Sequence, residues 1–248
     1  MTAPFDLIVP DWPAPANVRA CVTTRARGDS LAPFECFNLG DHVGDNDRQV
    51  QANRDVLEQQ LECSPVWLEQ VHGATVVEAS PGTLATADAS WSAAPGVACS
   101  ILTADCLPVL FTDRDGTRVA AAHAGWRSLA GGVLENTLVA MQVDPRQLLV
   151  WLGPAIGSEV YEVGTEVRQA FTAQHAEAAR AFVPSGRSGH WLADLYELAR
   201  IRLAAAGVVA VYGGGFCTLT DSRFYSYRRQ AVTGRMASLI WLTAPANL

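Results

Sequence analysis

The chain has 248 residues, of which 49% are hydrophobic and only 17% are charged; this composition excludes an intrinsically disordered protein and allows a sizeable core. Eighteen Lys and Arg against 25 Asp and Glu give a net charge of −7, which argues against nonspecific binding to nucleic acid or to a membrane surface. No apolar run is long enough to predict a transmembrane helix, and residues 1–20 lack the features of a signal peptide. We therefore expect one folded domain spanning residues 1–248, located in the cytoplasm.

The first predicted elements are a strand at residues 18–24, a loop rich in Gly, Asp and Asn at residues 32–47, and a helix at residues 48–61. Asp45 or Asp47 is expected to cap this helix. Five segments then have the apolar composition of short strands, and the sequence DRDG predicts a hairpin turn between the last two. These strands are predicted at residues 66–72, 75–79, 96–103, 107–112 and 117–124.

Three further helical patterns lie in the second half of the chain. Helices are predicted at residues 128–141, 166–182 and 192–207, and strands at residues 147–154, 208–214 and 235–242. Many short strands, without a regular β-α alternation near the start, favour an α+β fold with mixed sheets over a doubly wound fold. The sequence has neither the GxGxxG pattern of a dinucleotide site nor a P-loop, so we expect no dinucleotide or ATP binding.

Six cysteines are scattered along the chain without a CxxC pair. In a reducing compartment, such cysteines are expected to be free thiols, most of them packed in the core. They are Cys21, Cys36, Cys63, Cys99, Cys106 and Cys217.

Three residues with metal-binding side chains share one sequence setting. His72 and His123 each end a predicted strand beside small residues, and Cys106 follows the predicted strand at residues 96–103. If these strands are neighbours, their ends converge on one point. Two imidazoles and a thiolate suit a zinc ion with one open coordination position, which activates water near neutral pH. The alternative from the residues alone is that both histidines are satisfied at strand ends and that Cys106 is a core thiol.

The segment HAGWRSLAGG places Arg127 at the start of a predicted helix, next to glycines. Backbone N–H groups, the helix dipole and a guanidinium together suit an oxyanion such as phosphate. The alternative is an ordinary solvated arginine. For Trp126, packing in the core is favoured over stacking against a ligand.

Several long motifs, in order from about residue 18 to residue 242, resemble the YfiH-like laccase-domain family, whose members are called multicopper polyphenol oxidases and purine nucleoside phosphorylases. The motifs are FNLGDHVGDNDRQVQANR, LEQVHGATVV, TADCLPVLF, AAHAGWRSLAGGVLENT, LGPAIGSEVYEVG and FYSYRR followed by TGRMASLIWL. The resemblance implies a layered α/β/β/α sandwich with mixed sheets, similar to the catalytic domain of cytotoxic necrotizing factor.

The resemblance also implies a zinc-dependent enzyme that cleaves adenosine, inosine, guanosine and S-methyl-5′-thioadenosine with phosphate, and that deaminates adenosine as a side activity. Copper is the alternative metal. The residues that match the family's metal ligands and catalytic centre are His72, Cys106 and His123. The residues that match motif positions around the pocket, and are expected to bind substrate or phosphate, are Asn38, Arg54 and Arg127.

Other functions are weighed on the same residues. The chain has five histidines, and two in a blue-copper site leave too few for a three-copper cluster, so phenol oxidation by a single copper ion is a secondary prediction. A second alternative is a metal-free amide hydrolase with Cys106 as nucleophile and His123 as base. A third is a metal-binding protein without enzymatic activity. Glu69 is the nearest sequence candidate for a proton shuttle, and a monomer or homodimer acting on purine nucleosides and phosphate is expected.

Overall fold

The structure of the protein is a computed structural model, and it describes residues 6–244 of the chain. Its strands are β1 Leu7–Ile8, β2 Val18–Thr23, β3 Ser64–Val66, β4 Leu68–Glu69, β5 Val76–Glu78, β6 Ala85–Thr86, β7 Ala89–Ser92, β8 Val97–Thr103, β9 Leu107–Asp113, β10 Val119–Ala124, β11 Leu148–Leu152, β12 Glu162–Gly164, β13 Phe182–Pro184, β14 His190–Ala193, β15 Ala210–Gly213 and β16 Met236–Leu242. Its α-helices are α1 Asp47–Leu61, α2 Trp126–Ala130, α3 Val133–Met141, α4 Thr165–Thr172 and α5 Leu195–Ala205, and short 3-10 helices lie at Pro145–Gln147 and Ala176–Ala181.

Two mixed sheets form the centre of the fold. The first has the strand order β1-β2-β16-β8-β3, and the second has the order β15-β11-β9-β10-β7-β5. Strands β9, β10 and β11 pair antiparallel, whereas β3 pairs parallel to β8 and β15 pairs parallel to β11. This mixture confirms the predicted α+β fold with mixed sheets.

The buried side chains divide into three hydrophobic layers. One layer lies between the two sheets, since it joins Ile101 and Ile240 of the first sheet to Leu110 and Ala121 of the second. A second layer covers the opposite face of the six-stranded sheet with α3, α4 and α5. A third packs α1, through Leu57, against the outer face of the five-stranded sheet. The helices and sheets are therefore stacked in the order helix, sheet, sheet, helix, with one hydrophobic layer at each of the three boundaries. This is the four-layer sandwich that the sequence resemblance implied.

Strand periodicity explains how one strand serves two layers. Along β10, Ala121 faces the first sheet, whereas Ala120 and Ala122 face the helices, because side chains alternate across a sheet. The hairpin between β9 and β10 forms as predicted, and Asp113 accepts the backbone N–H groups of Thr117 and Arg118.

Several predicted boundaries are wrong, and each error has a local cause. The helix predicted at residues 128–141 is interrupted at Gly132, where φ is +91°, so α2 and α3 are separate. The helix predicted at residues 166–182 ends at Thr172, and the chain then turns so that Phe171 and Phe182 pack together. The helix predicted at residues 192–207 starts later, because residues 190–193 form β14 and Asp194 caps α5.

The N-cap of α1 is Asn46, which accepts the N–H of Arg48, and not Asp45 or Asp47. All six cysteines are free thiols, as predicted, but only three of them, Cys21, Cys63 and Cys99, are buried, whereas most were expected in the core. Within residues 6–244, no helix combines the length and the apolarity needed to cross a lipid bilayer.

Candidate functional site

The three predicted metal-binding side chains meet at one place. His123 lies in β10, and Cys106 lies in the connection that carries the chain from β8 of one sheet to β9 of the other. The donor atoms of His72, Cys106 and His123 all lie within 4.8 Å of one another, and Cys106 Sγ is 3.9 Å from His72 Nε2. Among residues 6–244 this is the one group of three or more His, Cys, Asp or Glu donors at such spacing.

His72 does not end a strand, contrary to the sequence prediction. Strand β4 stops at Glu69, and His72 lies in a tight turn with φ of +57°, in the left-handed region. Gln70 holds this turn against the first sheet, since its side-chain amide donates to the carbonyl of Leu102 and accepts the N–H of Leu102. The turn thereby presents His72 toward Cys106.

A buried carboxylate, Asp88, binds the imidazole of His123 and the backbone of the turn that carries His72, and it was not found from the sequence. Its Oδ1 accepts the backbone N–H of His72 at 2.9 Å and lies 2.8 Å from Nδ1 of His123. Its Oδ2 accepts the N–H groups of Val71, at 3.2 Å, and Gly73, at 2.6 Å. Asp88 therefore fixes the proton of His123 on Nδ1 and leaves Nε2 as the free donor, the usual arrangement of a metal-binding histidine.

Gly125 is required by the close packing of these side chains. A Cβ at this position would lie 2.9 Å from Cys106 Sγ and 3.2 Å from a ring carbon of His72. The HAGW segment thus needs glycine because two of the three donors occupy the space that a side chain would fill.

The electrostatics of the group favour a thiolate beside an imidazolium. Burial alone would raise the pKa of the Cys106 thiol, but the charges and hydrogen bonds of His123 and His72 lower it below its ordinary value. Burial would lower the pKa of His123, but the Cys106 thiolate and the Asp88 carboxylate raise it above its ordinary value. Without a metal, Cys106 and His123 therefore form a charged pair.

This donor set fits a divalent transition-metal ion. A tetrahedral zinc site, the reference case for two imidazoles and a thiolate, places its donor atoms about 3.3–3.8 Å apart. The observed spacing needs only a small inward adjustment, and Asp88 supplies the carboxylate that commonly orients a ligating imidazole. His72, Cys106 and His123 can therefore hold one such ion and leave a coordination position open.

The donor group lies in the wall of a cavity of about 400 Å³, within the size range of small-molecule sites. Three arginines line the cavity, Arg127, Arg228 and Arg235. They outnumber the one carboxylate in the lining, so the cavity is cationic. The guanidinium of Arg127 stacks on Trp126, 4.5 Å from the ring centroid, and Trp126 lines the cavity as well. Arg127 thus lies in the first turn of a helix, as the sequence predicted, although this helix, α2, begins at Trp126 and has only five residues.

The lining carboxylate, Asp105, binds two other segments of the chain. Its Oδ1 accepts the hydroxyl of Thr218 at 2.6 Å, and its Oδ2 accepts the backbone N–H of Arg228 at 2.7 Å. Asp105 itself has φ of +93° and directly precedes Cys106. One residue therefore couples the position of the thiol to the position of Arg228.

Asn38 and Arg54, expected to bind substrate or phosphate, do not line this cavity. Asn38 is fully buried, and its Oδ1 accepts the backbone N–H of Arg235 at 2.9 Å. Arg54 donates to the carbonyl of Leu39 and forms an ion pair with Asp41. The two side chains hold the segments that reach the cavity, and direct contact with a ligand stays a prediction.

The structure also brings in residues that sequence reasoning did not select. Arg228 and Arg235 come from the motifs FYSYRR and TGRM, and His42 from LGDHVGD, so the motifs were noticed but not these side chains. Glu69, the sequence candidate for a proton shuttle, does not line the cavity, and its side chain accepts the hydroxyl of Thr86.

Comparison with known proteins places the chain in a family. A model of the family described as multi-copper polyphenol oxidoreductase laccase matches residues 19–243. The chain is 66% identical over 236 residues to a Pseudomonas aeruginosa protein named purine nucleoside phosphorylase, covering 95% of this chain and 98% of that protein. It is 53% identical over 241 residues to purine nucleoside phosphorylase YfiH of Escherichia coli strain K12, again covering 95% and 98%.

A solved structure agrees with these sequence matches. The crystal structure of Neisseria meningitidis protein NMB0706 has a TM-score of 0.94 to this chain, with 51% identity, and the alignment covers 96% of this chain and 100% of that one. The chain therefore belongs to the multi-copper polyphenol oxidoreductase laccase family, together with its YfiH-like members.

Proposed function

We propose that this protein is a purine nucleoside phosphorylase that cleaves adenosine, inosine, guanosine and S-methyl-5′-thioadenosine with phosphate. The products are the free base and ribose 1-phosphate or methylthioribose 1-phosphate. The observation that carries the proposal is one cavity that unites the His72–Cys106–His123 group with three arginines and several aromatic rings. The names of the relatives from Pseudomonas aeruginosa and Escherichia coli support the same reaction class.

Phosphate is assigned to the arginine side of the cavity. Arg127 is exposed and makes no ion pair within the described part of the chain, so its guanidinium is available to an anion. Arg235 is half-buried and its guanidinium donates to the carbonyls of Thr233 and Gly234, which fixes its direction. Guanidinium groups bind phosphate oxygens through paired, charge-assisted hydrogen bonds.

The purine base is assigned to the aromatic residues of the same wall, Trp126, Tyr161 and Tyr227. Aromatic rings stack on purines at a gain of about 1–3 kcal/mol per base. The cavity thus offers a stacking surface and a cationic surface within reach of one nucleoside.

Zinc is the metal proposed for the donor group, with copper as the alternative. When bound by His72, Cys106 and His123, zinc would supply Lewis acidity at the cavity wall. Asp88 holds the imidazole of His123 and the backbone of the turn that carries His72, and Cys106 is kept ionised by its imidazole neighbours. A histidine and cysteine donor set is also that of zinc-dependent nucleobase deaminases, which supports adenosine deamination as a side activity.

The test is a chromatographic assay of inosine cleavage with and without phosphate. We expect hypoxanthine and ribose 1-phosphate in equal amounts, and only when phosphate is present. Cys106→Ala should lose both the metal and the activity, whereas Cys217→Ala, a half-buried thiol outside this cavity, should keep both. Normal cleavage by Cys106→Ala, or hypoxanthine release that does not depend on phosphate, would contradict the proposal.

Two other functions have an observation in their favour. The description of the matching family favours a copper-dependent polyphenol oxidase, and copper binds such donors more tightly than zinc. The charged Cys106–His123 pair favours a metal-free amide hydrolase with Cys106 as nucleophile. Oxygen uptake with a phenol and the copper-loaded protein tests the first, and activity that survives metal removal but not alkylation of Cys106 identifies the second.

We further propose that the chain acts as a single domain spanning residues 1–248, as a monomer or homodimer in the cytoplasm. Its partners would be small molecules, and neither nucleic acid nor membrane is required. A sedimentation experiment with the purified protein gives the oligomeric state directly.

A further inference from the structure

One histidine that lines the cavity has no part in the metal-binding group. His42 lines the cavity, in the loop that precedes α1, and its side chain is 57% exposed. If the protein is a purine nucleoside phosphorylase, as proposed above, the departing purine needs a proton, because a purine anion is a poor leaving group. The residue that supplies this proton is unassigned.

A chain of contacts orients the imidazole of His42. Its Nδ1 lies 3.5 Å from Oδ1 of Asp41, and the other oxygen of Asp41 lies 3.2 Å from Nη1 of Arg54. Arg54 is itself fixed, since Nε and Nη2 donate to the carbonyl of Leu39 at 3.0 and 2.8 Å and its guanidinium lies 4.4 Å from the ring centroid of Trp67. A carboxylate on one ring nitrogen leaves the other nitrogen, Nε2, for the reacting group.

Two carboxylates and one phenol in or near the cavity are poorer candidates for this proton transfer. Both carboxylate oxygens of Asp105 accept hydrogen bonds, from Thr218 and from Arg228. Glu69 is not part of the lining. Burial raises the pKa of Tyr161 far above neutral pH, so this phenol is a weak acid in the cavity.

The charges around His42 come from three residues. Burial lowers the pKa of His42, and the positive charges of Arg235 and Arg54 act in the same direction, whereas Asp41 raises it. The balance leaves the pKa of His42 below its ordinary value, so the imidazolium gives up its proton readily. Asp41 is the group that keeps this side chain protonated to a higher pH than it would otherwise be.

We propose that His42 donates, through Nε2, the proton that the leaving purine base requires, and that Asp41 and Arg54 are its positioning residues. A phosphate oxygen forms a bond to C1′ while the bond from C1′ to N9 breaks, and the electron pair of that bond passes into the purine ring. The proton of His42 Nε2 moves to N7 of the base. Neutral His42 then recovers a proton from solvent.

The test compares two nucleosides that differ in their need for this proton. Inosine needs protonation, whereas 7-methylguanosine already carries a positive charge on its imidazole ring and releases a neutral base. His42→Gln is expected to lose about 10²-fold or more in kcat/KM for inosine, the usual contribution of general acid catalysis, and to stay within about threefold of wild type on 7-methylguanosine. His175→Gln, a histidine outside the cavity, is the matched control and should change neither rate.

Each other outcome overturns the inference. Equal losses of His42→Gln on both nucleosides would give His42 a structural role, and unchanged cleavage of inosine would remove it from the reaction. A wild-type protein that cleaves neither nucleoside with phosphate would refute the proposed function itself, and the role of His42 with it.

The positioning residues have a test of their own in the pH profile. Asp41→Asn removes the charge that raises the pKa of His42, so the loss of inosine cleavage with rising pH should move to lower pH. The rate on 7-methylguanosine should keep its wild-type pH profile. An inosine profile that does not move would show that Asp41 does not act through His42.

Discussion

Replacing Asp88 by asparagine removes one negative charge and one hydrogen-bond acceptor at the point where both imidazole donors are held. The carboxylate is fully buried, and each of its oxygens faces two N–H groups. An asparagine side chain has one oxygen and one NH2 group, so one pair of donors must face another donor. Asp88→Asn therefore cannot satisfy the site in either orientation.

The two orientations fail in different ways. With the NH2 group toward Val71 and Gly73, two buried N–H groups lose their acceptor at about 1–3 kcal/mol each, and the turn that carries His72 loosens. With the NH2 group toward His123, the imidazole must accept at Nδ1, and its proton moves to Nε2, the nitrogen a metal needs. Either way we expect the affinity for zinc to fall about 10–100-fold, or about 1.4–2.7 kcal/mol.

The assay is zinc competition against a chromophoric chelator, together with urea unfolding of the metal-free protein. Asp113→Asn is the matched control, because Asp113 is also a buried carboxylate that accepts backbone N–H groups, but at the end of β9 opposite Cys106. Both variants should be less stable than wild type, and only Asp88→Asn should bind zinc more weakly. Unchanged affinity in Asp88→Asn, or equal weakening in both variants, would refute the orienting role of Asp88.

The same variant has a pH signature in the metal-free protein. Burial opposes ionisation of Asp88, but hydrogen bonds from His123 and Gly73 hold its pKa below the ordinary value. Its contribution to stability is therefore present above the unfolded-state pKa and is lost as the pH falls through the lower folded-state pKa. Urea midpoints of wild type should fall more steeply with acid than those of Asp88→Asn, and parallel curves would contradict this linkage.

The remaining predictions concern the donors and the anion site. Gly125→Ala should abolish metal retention, because the new Cβ would lie 2.9 Å from Cys106 Sγ. Gly82→Ala is the control: this glycine has φ of +78° and open space around it, so the variant should lose stability but keep the metal. Metal analysis after dialysis distinguishes the two outcomes. In metal-stripped protein, the pH midpoint for alkylation of Cys106 by iodoacetamide should lie well below about 8.5, the value of a free thiol. A midpoint equal to that of a free thiol would exclude the charged pair of Cys106 and His123. Arg127→Ala should raise the KM for phosphate about 10–100-fold, which is the effect of losing one charge-assisted hydrogen bond. The KM for inosine should change far less, and equal changes in both constants would argue against the anion role.

The proposed metal-binding residues could be found from the sequence, because few residue types bind such metals and because these three stand in recognisable motifs. The sequence alone indicates His72, Cys106 and His123 as possible ligands, and the structure brings their donor atoms together. The setting of His72 was wrong, since an apolar pattern cannot reveal the left-handed turn in which it lies. For the same reason Asp88 was missed, because its role depends on the backbone N–H groups that this turn exposes.

Arginine and asparagine roles were less predictable, because these side chains bind backbone carbonyls as readily as ligands. Arg54 and Asn38 stand in motifs near the pocket, yet both hold loops, through Leu39 and Arg235 respectively. The sequence could not show which face of a fully buried strand meets which layer. Every residue of β10 is buried and only His123 is polar, so polar and apolar residues do not alternate along it. The four-layer order came from the resemblance and not from periodicity.

The central claim is that His72, Cys106 and His123 hold one metal ion at the wall of the cationic cavity. Anomalous diffraction at the zinc and copper edges, on crystals of the protein purified without added metal, tests it most directly. We expect a single peak at about 2.0–2.3 Å from one nitrogen of each histidine and from the sulfur of Cys106. Crystals in which the three side chains keep their positions with no peak between them, or with the metal bound elsewhere, would contradict it.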